Sequence, residues 1–220
     1  MLEPDKTEAG LGAVINSLLR EKNIHTPSKF PNLSDNERIA VVEMHMKEIL
    51  EVLGFDLTDD SMAETPKRYA KMMVLEKFWG LKPTNFPKIM TIENKMGYDN
   101  MLIEKDIPVI SSCEHHLEAI MGKASVAYIP ANKVIGLSKL NRVVEYFSHR
   151  PQVQERLTQQ ILTSLQYILG TENVAVSISA THNCVQCRGV GHIGSSTTTN
   201  CFGGVFLEDG KARNELLKFL

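Results

Sequence analysis

From about Ile92 onward the chain switches to a two-residue hydrophobic period, and this switch limits the possible folds more than any other feature of the sequence. VISS, KASVAYIP and NVAVSISATHNCVQ are rich in β-branched residues and alternate apolar with polar positions, as strands with one buried face do. Between the second and third of them lie two stretches of helical period. One runs from Ser138 to about His149; the other starts at Pro151, carries Val153, Leu157, Ile161, Leu165 and Ile168 on one face, and stops at Gly170. The Thr-rich segment SSTTTNCFGGVF supplies a further strand. The chain before Ile92 reads as helix. Ser34 and Glu37 form a capping box, Ile39, Val42, Met46, Ile49 and Leu53 recur at helical spacing, and Gly54 supplies the stop. Thr65-Pro66 opens another helix, with Gly80 after its end. The pattern predicts an α+β protein with a helical section over residues 1–90 and a strand-rich domain over 91–220.

Lys and Arg number 24 against 26 Asp and Glu, a net charge of -2, so nothing draws the chain to nucleic acid or an anionic membrane as a whole. A phosphate site, if present, must be local. No run approaches the roughly 20 apolar residues of a membrane span, and the N-terminus lacks the basic start and apolar run of a secretory signal. These features predict a cytoplasmic, reducing setting. There Cys113, Cys184, Cys187 and Cys201 read as metal ligands, reactive thiols or core residues in preference to disulfides.

SSCEHHL places Cys113 and His116 at C-x-x-H spacing, which lets a thiolate and an imidazole hold one ion across a tight turn, with His115 pointing elsewhere. About seventy residues later, ATHNCVQCRG places His182 and Cys184 two apart, on one side of a strand. The reading is a zinc ion on Cys113, His116 and Cys184, with water in the fourth position, the form of a catalytic site. If the strand continues, Cys184, Gln186 and Arg188 share a face and Cys187 points away. A closed four-ligand site including Cys187, and a pair of merely buried thiols, are the alternatives. Cys201, flanked by apolar residues, is expected in the core. His115 and His182 flank the ion as candidate proton donors or acceptors; His25, His45, His149 and His192 lack such company and read as surface or packing residues.

In VIGLSKLNRVVEYF, Ser138 is a candidate N-cap, and Lys139 and Arg142 both project from the first turn of a helix. Cations there oppose the helix dipole unless an anion lies between them, and a polyphosphate fits. The alternative is a pair of solvated surface charges. The next helix opens PQVQERL, with Gln154 and Glu155 in its first turn. Glu155 suits the dipole, and its carboxylate could also accept the two N–H groups of a guanine edge.

Taken in order, CEHH, GLSKLNRVVEYFSHRPQVQERLTQQI and HNCVQCRGV resemble the GTP cyclohydrolase I family, and ETPKRYAKM resembles its helical section. The resemblance runs from about Ser34 to near the C-terminus. It implies zinc on Cys113, His116 and Cys184, proton transfer by His115, His182 and Ser138, a triphosphate held by Ser138, Lys139, Arg142 and Arg188 with Arg68 from a neighbouring subunit, and base recognition by Gln154 and Glu155. The fold implied is the tunnelling fold, a four-stranded antiparallel sheet with two helices between its second and third strands. Subunits of that fold form a toroidal decamer with sites at subunit interfaces. The reaction implied is hydrolysis of GTP at carbon 8 by zinc-activated water, with His182 the acid at the neighbouring ring nitrogen. Release of formate, rearrangement of the ribose and closure to dihydroneopterin triphosphate follow, without organic cofactor. The run GHIGSSTTTN and Cys187 depart from the family pattern and bear on a local loop shape.

Two other classes compete. His116-Leu117-Glu118 and Cys184-Val185-Gln186-Cys187 match the H-x-E and C-x-x-C of a nucleoside deaminase, but Asn183 stands where that motif has Pro, and the surrounding patterns are strand-like. A non-enzymatic zinc or ligand-binding module would need a closed ion that includes Cys187.

Overall fold

The structure is a computed structural model that describes residues 4–220. In chain order its elements are α1 (Ala9–Glu21), α2 (Asp35–Val52), α3 (Thr65–Lys71), β1 (Thr91–Glu93), β2 (Leu102–Cys113), β3 (Ala119–Tyr128), β4 (Lys133–Ile135), α4 (Leu137–Ser148), β5 (Pro151–Gln152), α5 (Gln154–Leu169), β6 (Val174–His182), α6 (Asn183–Gln186), β7 (Thr197–Phe202), α7 (Val205–Glu208) and α8 (Gly210–Leu217). The described residues fall into two compact units: Pro27–Trp79 forms one, and residues 4–26 together with Gly80–Leu220 form the other. The helical part of the sequence is thus divided. α1 belongs with the sheet, where Ile15 and Leu19 are fully buried and the Gln160 side-chain amide, itself buried, donates to the carbonyl of Ile24 at 2.7 Å.

In the smaller unit the capping box forms as read. The Ser34 N–H donates to Glu37 Oε2 at 2.7 Å and the Glu37 N–H to Ser34 Oγ at 3.3 Å, satisfying two donors that a helix start leaves open. Gly54, at φ +87°, ends the turn after α2. The apolar stripe of α2 finds little cover: none of its residues is buried, and Val41, Met44, Ile49 and Val52 lie exposed.

In the larger unit one sheet orders its strands β5-β2-β3-β6-β7. The pairs β2-β3, β3-β6 and β6-β7 are antiparallel. The two-residue β5 adds a fifth strand, parallel to β2 at Ser112 and Cys113, so the expected four-stranded sheet is extended at one corner. It also corrects the start of the second helix. Pro151 and Gln152 are spent on this pairing, and α5 begins at Gln154. α4 lies against β2, and α5 against β6 and β7, burying Leu140, Val143, Phe147, Leu157, Ile161 and Leu165 completely. Each such side chain contributes about 1.5–3 kcal/mol by leaving water. Gly170 closes α5 in the left-handed conformation, φ +64°, which a residue without Cβ adopts freely.

The two-residue period of β6 holds only in part, because Val174, Ala175 and Val176 are all buried. A second apolar cluster, Ala127, Ala175, Phe206 and Leu216, covers the other face of the sheet there, so a strand with both faces covered reads as a continuous apolar run. Gly122 on β3 shows how closely the centre is packed, since a Cβ at that position would collide with the Ser179 carbonyl and Ala180.

Candidate metal centre

The register of β3 against β6 brings together residues seventy positions apart. Ile120 pairs with His182, so the turn at residues 114–118 lies beside the residues that follow β6. That turn is closed by backbone bonds from the Leu117 N–H to the Cys113 carbonyl and from the Cys113 N–H to the Glu118 carbonyl, both 2.8 Å. Leu117 takes φ +56°, an uncommon conformation for a side chain of its size, and the reversal sets His116 next to Cys113. The Glu114 N–H reaches the Gln152 carbonyl at 3.0 Å, which ties the turn to β5.

Cys113, His116 and Cys184 offer ligand atoms that all lie within 4.8 Å of one another. Cys113 is buried, Cys184 half-buried and His116 exposed, an arrangement held from inside and open on one side. Burial first, and then the neighbouring Cys113 thiol, push the Cys184 thiol above its ordinary range. A divalent cation held between the two sulfurs would remove that penalty. Two thiols and an imidazole at this separation therefore suit a zinc-type ion.

The sequence parity argument for Cys184 needs correction. The strand ends at His182, and Asn183–Gln186 form a single helical turn, α6, so Cys184, Gln186 and Arg188 do not share a strand face. Cys184 still reaches the cluster. Cys187, exposed after that turn, stands outside the group, which contains three candidate ligands among the described residues. His115 does not point away as expected, since its Nδ1 lies 3.7 Å from Cys113 Sγ. Cys201 is half-buried on β7.

His182 is half-buried, and its Nε2 lies 2.8 Å from Gln154 Oε1. Burial lowers its pKa below the ordinary 6.5, opposed by the charge of Glu155, which places that exposed carboxylate in electrostatic reach of the ring. Arg188 Nη1 lies 3.0 Å from His116 Nε2. The pair that sequence reading missed is Glu114 and Arg156: Nη1 to Oε2 is 2.6 Å and Nη2 to Oε1 is 3.3 Å, bidentate and largely covered. The Arg156 guanidinium holds the Glu114 carboxyl below its ordinary range. Opposite charges in C-E-H-H and Q-E-R are the only sequence signal, and 42 residues separate them. Glu114→Gln leaves Arg156 half-paired and is expected to lower stability by about 1–2 kcal/mol and metal affinity roughly tenfold or more, read from the melting midpoint and a competitive chelator titration.

The anion candidates divide. Ser138 is the second residue of α4; the N-cap is Gly136 and no side chain caps the helix, which corrects the assignment of Ser138 as cap. Lys139 and Arg142 are half-buried near the start of α4. Their placement relative to the thiols follows from topology. β5 comes directly after α4 and pairs with Cys113, so the C-terminal end of α4 neighbours the cluster. Ser138 and Lys139 sit about 15 Å up the helix from that end. Arg188 touches the cluster through His116. Arg68 is exposed on α3, in the smaller unit.

A family model described as GTP cyclohydrolase I matches residues 42–220. The chain belongs to the GTP cyclohydrolase I family. Proteins named GTP cyclohydrolase 1 from Tolumonas auensis, Serratia proteamaculans and Edwardsiella ictaluri are 54%, 53% and 52% identical to it, over 93%, 93% and 94% of this chain and 94%, 93% and 94% of theirs. Membership makes the chain an enzyme of that family and displaces the deaminase and non-enzymatic readings. The C-x-x-C does begin in a helical turn, contrary to expectation, but only its first cysteine joins the ligand group.

Proposed function

We propose that the chain hydrolyses GTP to formate and 7,8-dihydroneopterin triphosphate, the opening step of pterin and tetrahydrofolate synthesis, at a zinc site on Cys113, His116 and Cys184. The convergence of those three side chains carries the reading. When bound there, zinc supplies Lewis acidity and lowers the pKa of a water toward about 7.

This chain's own residues do the rest. Glu155, exposed at the first turn of α5 and in electrostatic reach of His182, accepts the N–H groups of the guanine edge, with Gln154 beside it. His182 delivers a proton to the purine ring nitrogen as the ring opens. His115, beside Cys113, and Ser138 serve the later proton transfers of ribose rearrangement and ring closure. Ser138, Lys139, Arg142, Arg188 and Arg68 hold the triphosphate. The start of α4 suits an anion, because helix N–H groups and two cations meet there.

A single chain leaves its triphosphate candidates up α4 from the thiols, so a complete site needs a second copy. The uncovered apolar residues of α2 also favour association, in line with a toroidal homodecamer whose sites lie between subunits. The four antiparallel strands, with α4 and α5 between the second and third of them, support assignment to the tunnelling fold. No helix among the described residues is long and apolar enough to cross a membrane, and four free cysteines suit a cytoplasmic, reducing setting. Incubation of the pure protein with GTP tests the proposal: formate and pterin fluorescence are expected to appear together, and ammonia without formate would defeat it.

A further inference from the structure

Gln154 is read from the sequence as a base-recognising residue, yet its side chain is only 2% exposed and fully engaged inside the chain. Its Nε2 lies 3.0 Å from the Ile178 carbonyl, 2.9 Å from the Thr197 carbonyl and 3.2 Å from Thr199 Oγ1. Two amide hydrogens thus face three acceptors. Reversing the amide would set its oxygen against two carbonyl oxygens, so the orientation is fixed by the backbone of β6 and β7.

The hydroxyls agree with that orientation. Thr158 Oγ1 gives its one hydrogen to the Gln154 carbonyl at 2.8 Å, as a hydroxyl bonding back one helical turn does. Thr199 must then donate across the 2.7 Å contact to Thr158, and it accepts from Gln154 Nε2. The chain of bonds closes without conflict, in a place where Gln154 and Thr158 are both buried and an unmade bond is costly.

One consequence concerns His182. The atom that Gln154 presents at 2.8 Å from His182 Nε2 is Oε1, and a carbonyl oxygen only accepts. Nε2 therefore carries a hydrogen. In the neutral ring the lone pair is left on Nδ1, which no described residue engages.

We propose that Gln154 is a positioning residue: its buried amide holds His182 in the Nε2–H tautomer and makes Nδ1 the atom that exchanges a proton with the substrate. Guanine recognition then rests on Glu155. This assignment presupposes the cyclohydrolase reading for its kinetic part; its tautomer part stands without it. The same logic orients histidines elsewhere by the partner of their second nitrogen.

The test is nitrogen NMR on zinc-loaded, full-length protein labelled with 15N-histidine. The chain has 7 histidines, and the His182 signals are those missing from His182→Asn. At a pH where the ring is neutral, the wild type is expected to show the hydrogen on Nε2; a hydrogen on Nδ1 would overturn the proposal whether or not GTP is turned over. Gln154→Ala is expected to give mixed tautomers and to lower kcat roughly tenfold to a hundredfold, with KM for GTP moving less than about threefold. The preference for GTP over inosine triphosphate, which lacks the 2-amino group, is expected to persist. Loss of that preference with kcat retained would make Gln154 a direct base contact instead. Thr199→Val removes one hydroxyl of the network and leaves Gln154 in place. It is expected to shift both readouts the same way and less far; a pure Nε2–H ring and full kcat in both variants would refute the proposal. If the wild type makes no formate from GTP, it is the proposed reaction that fails, and the tautomer spectrum still decides the role of Gln154.

Discussion

Cys184→Ser is expected to reduce formate release from GTP by three orders of magnitude or more, and to leave the purified protein with well under half its zinc. The size follows from what the residue supplies. A serine hydroxyl stays protonated at neutral pH, whereas a thiolate brings a full negative charge to a dication. With one thiolate gone, the remaining Cys113 and His116 form an incomplete chelate, and the several kcal/mol that Lewis acidity contributes go with the metal, on the order of 10³ in rate. The fold should survive, because Cys184 is half-buried in a one-turn helix and stands outside the core. Cys187→Ser is the matched control, exposed and only three residues away, and should change neither zinc content nor turnover by more than about twofold. Zinc analysis beside the formate assay checks both. Full zinc and full activity in Cys184→Ser, or loss of the metal in Cys187→Ser, would show that the wrong cysteine has been placed at the site.

The residues of this cluster were legible because metal chemistry restricts both ligand type and spacing. C-x-x-H can close on one ion only across a tight turn, and the bonds around Cys113 and Leu117 make that turn. Capping at Ser34 and the stop at Gly170 were legible for a similar reason: few residue types meet the local requirement. What sequence could not supply were outcomes set by distant partners. α6 interrupts a run that reads as strand, and β5 takes two residues that read as helix, because pairing with Cys113 at the sheet corner outweighs local period. Ser138 has the chemistry of a cap but sits two residues past Gly136, which occupies that place. Gln154 and Glu155 are neighbours of similar shape in the sequence, and only the depth of the first turn of α5 separates a buried amide from an exposed carboxylate. The distance between the start of α4 and the thiols is likewise a property of topology. It could not be read from the order of motifs, and it sets the cations near the start of α4 apart from the end of the helix that leads to β5 and Cys113.

His182→Ala is the second large effect, and it separates metal binding from proton transfer at positions only two residues apart. The variant should keep its zinc, since His182 lies outside the ligand group, and should bind GTP with KM changed less than about threefold, yet lose a factor of about 10²–10⁴ in kcat, the usual contribution of a positioned acid or base. The contrast has a geometric basis. Cys184 leaves the end of β6 into the turn of α6, while His182 is the last residue of the strand and is held by Gln154, so each can be changed without moving the other. Stability should fall by no more than about 2 kcal/mol, the loss of one half-buried ring with one hydrogen bond. Imidazole added to His182→Ala is expected to recover part of the lost rate, because the cavity left by the side chain admits a free ring that can carry the same proton. Imidazole should have no effect on Cys184→Ser, where the missing group is a charge on the metal. Retention of near wild-type kcat in His182→Ala, with the fold and zinc intact, would remove His182 from the proton-transfer step and leave it to His115, an imidazole outside the ligand group whose Nδ1 lies 3.7 Å from Cys113 Sγ.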